Sequence, residues 1–228
     1  MDVVALGELL IDFTENGVSN QGNPLFEANP GGAPCNVLAM LTKLGHKTAF
    51  IGKVGNDFFG KQLEKTIMEV GIDATGLQKD DEVHTTLALV HTYPDGDRDF
   101  SFYRNPGADM MLTEEEVPEE IIKGTRIFHF GTLSMTHEGV RKATKKAVRI
   151  AKESGALISF DPNLREPLWN SLDEAKEQVL YGLGQCDILK ISDNEIQWLT
   201  GEEDFTEGVR WIHERYDIPM ILVSMGKA

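Results

Sequence analysis

Short apolar, β-branched runs alternate with segments of helical spacing along this chain, and that alternation constrains its fold more than any other feature. Val3 to Gly7 and Thr48 to Gly52 bracket a helical run from Val37 to Leu44, stopped by Gly45. A helix from Asp57 to Val70 ended by Gly71, a strand from Arg126 to Phe130, a helix from His137 to Ser154 ended at Gly155 and a strand from Ala156 to Phe160 follow. A helix from Leu172 to Gly182, a strand from Asp187 to Ile191, a short helix around Glu195 to Leu199, a helix from Thr206 to Tyr216 and a strand from Met220 to Ser224 complete the series. Strands buried on both faces and separated by helices of these lengths form βαβ units. The expectation is an α/β fold with a doubly wound, mostly parallel sheet flanked by helices, which places ligands at the carboxyl ends of its strands.

Two stretches interrupt the pattern. Phe13 to Pro30 is polar and rich in Gly and Asn, and Thr85 to Arg104 carries strand-like segments on either side of Pro94-Asp95-Gly96-Asp97, a turn signal. The second stretch reads as a hairpin. Leu87, Leu89, Phe100 and Phe102 recur with period two, so the expectation is one apolar hairpin face that covers a partner subunit or a bound ligand. The chain thus divides into a core of residues 1–12, 31–84 and 105–228 and a small β lid of residues 13–30 and 85–104.

With 228 residues and 41% hydrophobic content the chain can bury the core of one substantial domain. A net charge of −15 argues against nucleic acid and anionic membrane surfaces as partners. The densest basic stretch, Arg141-Lys142-Ala143-Thr144-Lys145-Lys146, has the spacing of a solvated helix face. Cys35 and Cys186 lie far apart with no CxxC, which fits neither zinc nor a disulfide framework and suits a reducing cytoplasm. The amino terminus has no secretory pattern, and no run approaches the roughly 18 apolar residues of a membrane span.

Candidate binding groups cluster where strands end. In NPGGAPCNV, Gly31 and Gly32 let backbone approach a ligand, Pro34 suits a first helical turn, and Asn36 projects an amide from it; a loop that only caps a helix reads equally well. Asp12 follows the first apolar run and either accepts hydrogen bonds from hydroxyls or is an ordinary loop acid. Asp161-Pro162-Asn163-Leu164-Arg165 follows another strand, where Arg165 suits substrate or phosphate and Asn163 suits metal-bound water. Lys190 brings positive charge near phosphates, and Glu195 is a carboxylate of the kind Mg²⁺ uses beside nucleotide phosphates. Ser192 and Glu195 also have the spacing of a capping box, and the two roles can coexist. His129 reads as a core residue, and no GxSxG elbow, P-loop or dinucleotide fingerprint occurs.

In order, GELLIDF, NPGGAPCNV, FIGKVGNDFFG, DGDRDFSFYRNPGAD, DPNLR and KISDNE resemble the ribokinase-like (PfkB) family of carbohydrate kinases over the whole chain, closest to its fructokinases. The resemblance implies a β lid that closes over the sugar and transfer of the ATP γ-phosphoryl group to a sugar hydroxyl, with ATP and Mg²⁺ as cofactors. By motif, Asp12, Gly31, Gly32 and Asn36 would hold sugar hydroxyls, Phe102 and Arg104 on the lid's second strand would contact the sugar, and Arg165 would reach it from below. Glu195 matches the glutamate of the family's NxxE motif, whose Asn is Ser192 here, and Ser224 to Gly226 resembles a strand end that borders ATP. The family's GAGD-type loop, whose aspartate is the general base, is not in this sequence. The expectation is therefore that residues 1–228 alone lack useful kinase activity and belong to a longer active protein.

The implied reaction is phosphorylation of D-fructose to fructose 6-phosphate in the cytoplasm. The rivals are a 2-keto-3-deoxygluconate kinase, in which Arg104 and Arg165 pair with a carboxylate, a ribokinase, and a non-catalytic sugar-binding protein. The apolar hairpin face suits either a homodimer through the lid or closure over the sugar, which would bury the same surface.

Overall fold

The computed structural model describes residues 1–92 and 98–226. Its central sheet has seven strands in the order β11-β10-β9-β8-β1-β4-β5. They are β1 (Val3–Leu6), β4 (Thr48–Gly55), β5 (Asp73–Asp80), β8 (Ile127–Gly131), β9 (Leu157–Asp161), β10 (Ile188–Ser192) and β11 (Met220–Ser224). Every neighbouring pair is parallel. Four further strands, β2 (Leu10–Val18), β3 (Pro24–Gly31), β6 (Leu87–Thr92) and β7 (Arg98–Tyr103), form a second sheet ordered β3-β2-β6-β7.

Period-two alternation in the buried strands divides the core between the two faces of the large sheet. Val4, Leu6, Phe128, Phe130, Ile158 and Phe160 turn to one face, under helices α4 (Glu138–Glu153), α5 (Leu172–Leu183), α6 (Asp193–Thr200) and α7 (Phe205–Tyr216), with the short α3 (Glu119–Lys123) at its margin. The Phe130 and Phe160 rings lie 4.8 Å apart there. Val3, Ala5 and Phe50 turn the other way, beneath α1 (Ala33–Lys43) and α2 (Phe58–Val70). The chain leaves β1 toward β4 on one side and returns to β8 on the other, so direction reverses beside β1 and a crevice opens at the carboxyl ends of these strands.

Two features differ from expectation. Asp73–Asp80 is a polar edge strand bonded only to β4, with Gly76 in its middle, and so lacks the apolar signal of its neighbours. The apolar hairpin face divides differently: Phe100 pairs with Val90 and Phe102 with Ala88, while Leu87 and Leu89 pair with Tyr103 and Ser101. Leu87 and Leu89 therefore belong to the opposite face, in register with Ile11 and Phe13 over the α2 core, since a one-residue offset reverses every side chain. The turn expected at Pro94-Asp95-Gly96-Asp97 lies outside the described residues.

The motif GNDFFG locks this arrangement. Asp57 caps α2 by accepting from the Gly60 amide at 2.8 Å and also accepts from the Thr85 amide and Thr85 Oγ1, each at 2.8 Å. A Cβ at Gly60 would overlap the Gly55 carbonyl, which explains the glycine. Burial pushes the Asp57 carboxyl up, but the bonds from Thr85 and Gly60 together outweigh it and leave its pKa below the usual value. Its stabilisation is present above the unfolded pKa of 3.8 and is lost as pH falls through the lower folded value. Asp57→Ala should lower stability by about 2 kcal/mol at pH 7. Urea denaturation should show this difference shrinking at pH 3.

Candidate active site

A cavity of about 280 Å³ lies between the crevice of the large sheet and one face of the small sheet. The register explains the small-sheet wall: Asp12 pairs with Asn29 and Ala88, and Ala88 with Phe102, so alternate residues of β2, β6 and β7 point the same way. Asp12, Thr14, Asn29, Val90, Phe100 and Phe102 line this wall. Asn29 Nδ2 donates to Thr14 Oγ1 at 2.8 Å, and the Phe100 and Phe102 rings stack 6.0 Å apart.

The opposite wall comes from the large sheet and α1. Gly31 packs against the Asp12 carboxylate so closely that a Cβ would overlap it. Gly32, the N-cap of α1, has φ 123° and lies against the Glu8 carbonyl, a conformation and a spacing that only glycine meets. Asn36 follows on the first turn of α1 and faces the cavity, as do Asn163 and Arg165 from the loop after β9. The Arg165 guanidinium lies 5.6 Å from the Phe100 ring centroid and bridges the two sheets.

Asp12, Gly32, Asn36, Phe102, Asn163 and Arg165 thus share one cavity, with Gly31 directly behind Asp12. Arg104 is not among them. It follows the last residue of β7, and its side chain is only 2% exposed. Its Nε donates to Asp109 Oδ2 at 2.8 Å, Nη2 lies 2.6 Å from the same oxygen, Nη1 donates to Thr136 Oγ1 and Nη2 to the Leu133 carbonyl. A buried carboxylate five residues on holds the guanidinium away from this cavity, and Arg104 lines a neighbouring one with Phe100 and Phe102 instead.

Glu8 is the charged cavity residue that sequence reasoning missed, with Thr14 and Asn29 among the polar ones. It is 3% exposed, lines the cavity, and accepts from the Ala33 amide at 2.8 Å. The available signal was a carboxylate one glycine past an apolar strand, in GEL.

A second cavity of about 330 Å³ adjoins the first and is lined by Asn163, Arg165, Lys190, Ser192 and Glu195 among others. Asn163 and Arg165 line both cavities. Asn163 holds its left-handed φ of 44°, which Asn tolerates better than most residues. Lys190 Nζ lies 3.3 Å from Asp161 Oδ2; burial pushes the Asp161 carboxyl up while Lys190 opposes it. Glu195 completes a capping box with Ser192, taking the Ser192 amide and hydroxyl at 2.9 and 2.8 Å and the Leu164 amide at 2.7 Å. Ser224 pairs with Ser192 at the carboxyl end of β11, and Gly226 lies just beyond, outside the residues lining this cavity.

His129 is buried within β8, its Nδ1 3.0 Å from Ser159 Oγ, and burial lowers its pKa to about 4. Among the described residues no cluster of three or more His, Cys, Asp or Glu is placed to hold a metal, and no helix is long and apolar enough to cross a membrane.

One cavity therefore presents two carboxyl groups, amides, a guanidinium and aromatic faces, the set that recognises a compact polyhydroxylated molecule. The other presents an ammonium beside carboxylates. Ligands held in the two would meet at Asn163 and Arg165, which suits transfer of a charged group between them.

Comparison with known proteins agrees with this geometry. The family model described as pfkB family carbohydrate kinase matches residues 1–228. "Fructokinase-1" of Zea mays is 45% identical over 226 residues, which cover 98% of this chain and 70% of that protein. The fructokinase from Xylella fastidiosa with bound ATP superposes with a TM-score of 0.88 at 30% identity, covering 100% of this chain and 73% of that one. The fructokinase from Vibrio cholerae O395 in its fructose, ADP and calcium ion bound form gives 0.87 at 32% identity, covering 99% and 71%.

Proposed function

This chain belongs to the pfkB family of carbohydrate kinases, and from that premise we propose that it serves the ATP-dependent phosphorylation of D-fructose to fructose 6-phosphate. The observation that carries this reading is the convergence of Asp12, Gly32, Asn36, Phe102 and Arg165 on one cavity that shares Asn163 and Arg165 with a second. Structures of fructokinases holding ATP, or fructose with ADP, support it through their likeness to this chain.

In this reading Asp12 accepts hydrogen bonds from sugar hydroxyls, Asn36 both donates and accepts, and Phe102 lies against the apolar side of the ring. Arg165, at the junction, holds the acceptor end of the sugar beside the transferred group and offsets its charge. Lys190 and Asn163 fit nucleotide phosphates in the second cavity, with Ser224 and Gly226 at its outer border. When bound, ATP supplies the phosphoryl group and Mg²⁺ offsets its charge. The Glu195 carboxylate already accepts bonds from Leu164 and Ser192. Its remaining acceptor capacity therefore suits a water-mediated contact with Mg²⁺, an ion that keeps most of its waters. The general base that the family resemblance implies, the aspartate of a GAGD-type loop, is not among residues 1–228.

The position of Arg104 bears on the substrate. With its guanidinium on Asp109, Arg165 is left as the cation lining the sugar cavity, which favours a neutral ketose over a sugar acid. The cytoplasmic reading rests on two free, buried cysteines. Exposed Val18, Leu25, Phe26 and Tyr103 on the small sheet support a homodimer through the lid.

The test is ADP release by these residues joined to a family GAGD-type loop, with D-fructose, D-ribose or 2-keto-3-deoxygluconate as acceptor. D-Fructose should give a kcat/KM at least about tenfold above the others, the scale set by a mismatched polar group. Turnover of the acid alone would overturn the substrate assignment. Fructose binding without any turnover would replace the kinase with a sugar-binding protein.

A further inference from the structure

Glu8 lies where the fold has reason to avoid a carboxylate. It is 3% exposed and is reached by none of the ion pairs among the described residues. Burying a carboxylate without a counter-ion is unfavourable, so its presence calls for a compensating role. The structure supplies one. α1 begins at Gly32, which has no side chain to cap the helix and can carry none, because a Cβ would overlap the Glu8 carbonyl. The missing cap comes instead from the loop after β1: Glu8 Oε1 accepts from the Ala33 amide at 2.8 Å. Gly7 is pressed equally closely on Pro34 of the same turn, its Cβ position 2.6 Å from Pro34 Cγ. Residues 7–8 therefore set where α1 starts, and with it where Gly32 and Asn36 stand in the cavity.

We propose that Glu8 is a positioning residue for the sugar site, holding the first turn of α1 through the Ala33 amide so that its charge state sets how tightly the cavity binds its ligand. This rests on the sugar reading above and adds to it a residue and a pH response. Burial pushes the Glu8 carboxyl up to about 7, against hydrogen bonds from its own amide and that of Ala33; Asp109 adds to the rise and Arg104 opposes it. Cys35, on the first turn of α1, is in turn pushed up by its own burial and by the Glu8 charge. Asp12 and Arg165 are the other charged groups on the cavity walls. Below pH 7 the neutral acid is a weaker acceptor; above it the carboxylate places a full negative charge at the positive end of α1. Sugar affinity therefore rises with pH through neutrality.

The test is calorimetric titration of D-fructose into the wild-type chain and Glu8→Gln between pH 5.5 and 8.5. The Ala33 amide resonance of both is followed over the same range without sugar. Glu8→Gln keeps an acceptor of the same shape and removes only the titration. In the wild type, Kd should fall about fivefold as pH rises, the scale of one charge at a helix N-terminus, and the Ala33 resonance should titrate near 7. In Glu8→Gln both should be flat. A mutant that keeps the wild-type pH slope, or a wild-type Ala33 resonance that does not move, overturns the proposal. A wild-type chain that binds no fructose at any pH while its Ala33 resonance titrates overturns the sugar assignment and supports the control of α1 by Glu8.

Discussion

Arg104→Ala should lower folding stability by about 3–5 kcal/mol, the range found when one partner of a buried ion pair is removed. Both side chains of the Arg104–Asp109 pair are 2% exposed, so little solvent is available to compensate. Asp109 Oδ1 keeps the Thr86 hydroxyl at 2.5 Å, but Oδ2 loses the guanidinium bonds that offset its charge. The Leu133 carbonyl and Thr136 hydroxyl lose a donor as well. Arg104→Lys should recover only part of the loss, because a single ammonium cannot span acceptors arranged for a planar fork. Adding Asp109→Asn to the alanine mutant should restore more, since it removes the stranded charge. Urea denaturation would show the effect as a shifted midpoint with an unchanged slope. A loss below 1 kcal/mol would mean that Arg104 is not the anchor between the end of β7 and the Leu133–Thr136 turn.

Asp12→Ala should weaken fructose binding by about 100-fold. A carboxylate that accepts from sugar hydroxyls contributes about 1.5–3 kcal/mol per charged hydrogen bond, and each 1.4 kcal/mol is a factor of ten in Kd. The position is favourable: the carboxylate stands on the cavity face of β2, backed by Gly31 and paired across the sheet with Asn29. Asp12→Asn keeps the shape and should lose less, about tenfold, because an amide still offers one acceptor oxygen.

The parts of this molecule that can be read from its sequence are those set by local pattern. The interior strands of the large sheet announce themselves by apolar runs, and helices such as α2 by a capping Asp57 and a stopping Gly71. Asp73–Asp80 escapes because an edge strand has no need of apolar residues on both faces. The hairpin is visible in its residue types, yet alternation alone says only that Phe100 and Phe102 share a face. Whether Leu87 or Ala88 joins them depends on the pairing register of the two strands, which alternation within either one does not fix. The site divides in the same way. Gly32, Asn36 and Arg165 follow strand ends, and topology collects strand ends in one crevice, while Asp12 sits inside β2 and reaches the same crevice through the alternation of that strand. Arg104 and Arg165 look alike along the chain; burial beside Asp109 separates them, and burial is a tertiary property. Glu8 escapes for the same reason, since its place after an apolar strand marks a strand-end carboxylate but not its burial to 3% exposure.

The central claim is that separate segments gather around a single ketose. Calorimetric titration of D-fructose into the wild-type chain, Asp12→Ala and Arg165→Ala tests it most directly. The account predicts one saturable site in the wild type and a Kd raised about 100-fold by either substitution, with both mutants still folded. Unchanged affinity in both folded mutants would contradict it, because fructose would then bind away from the cavity that these side chains enclose.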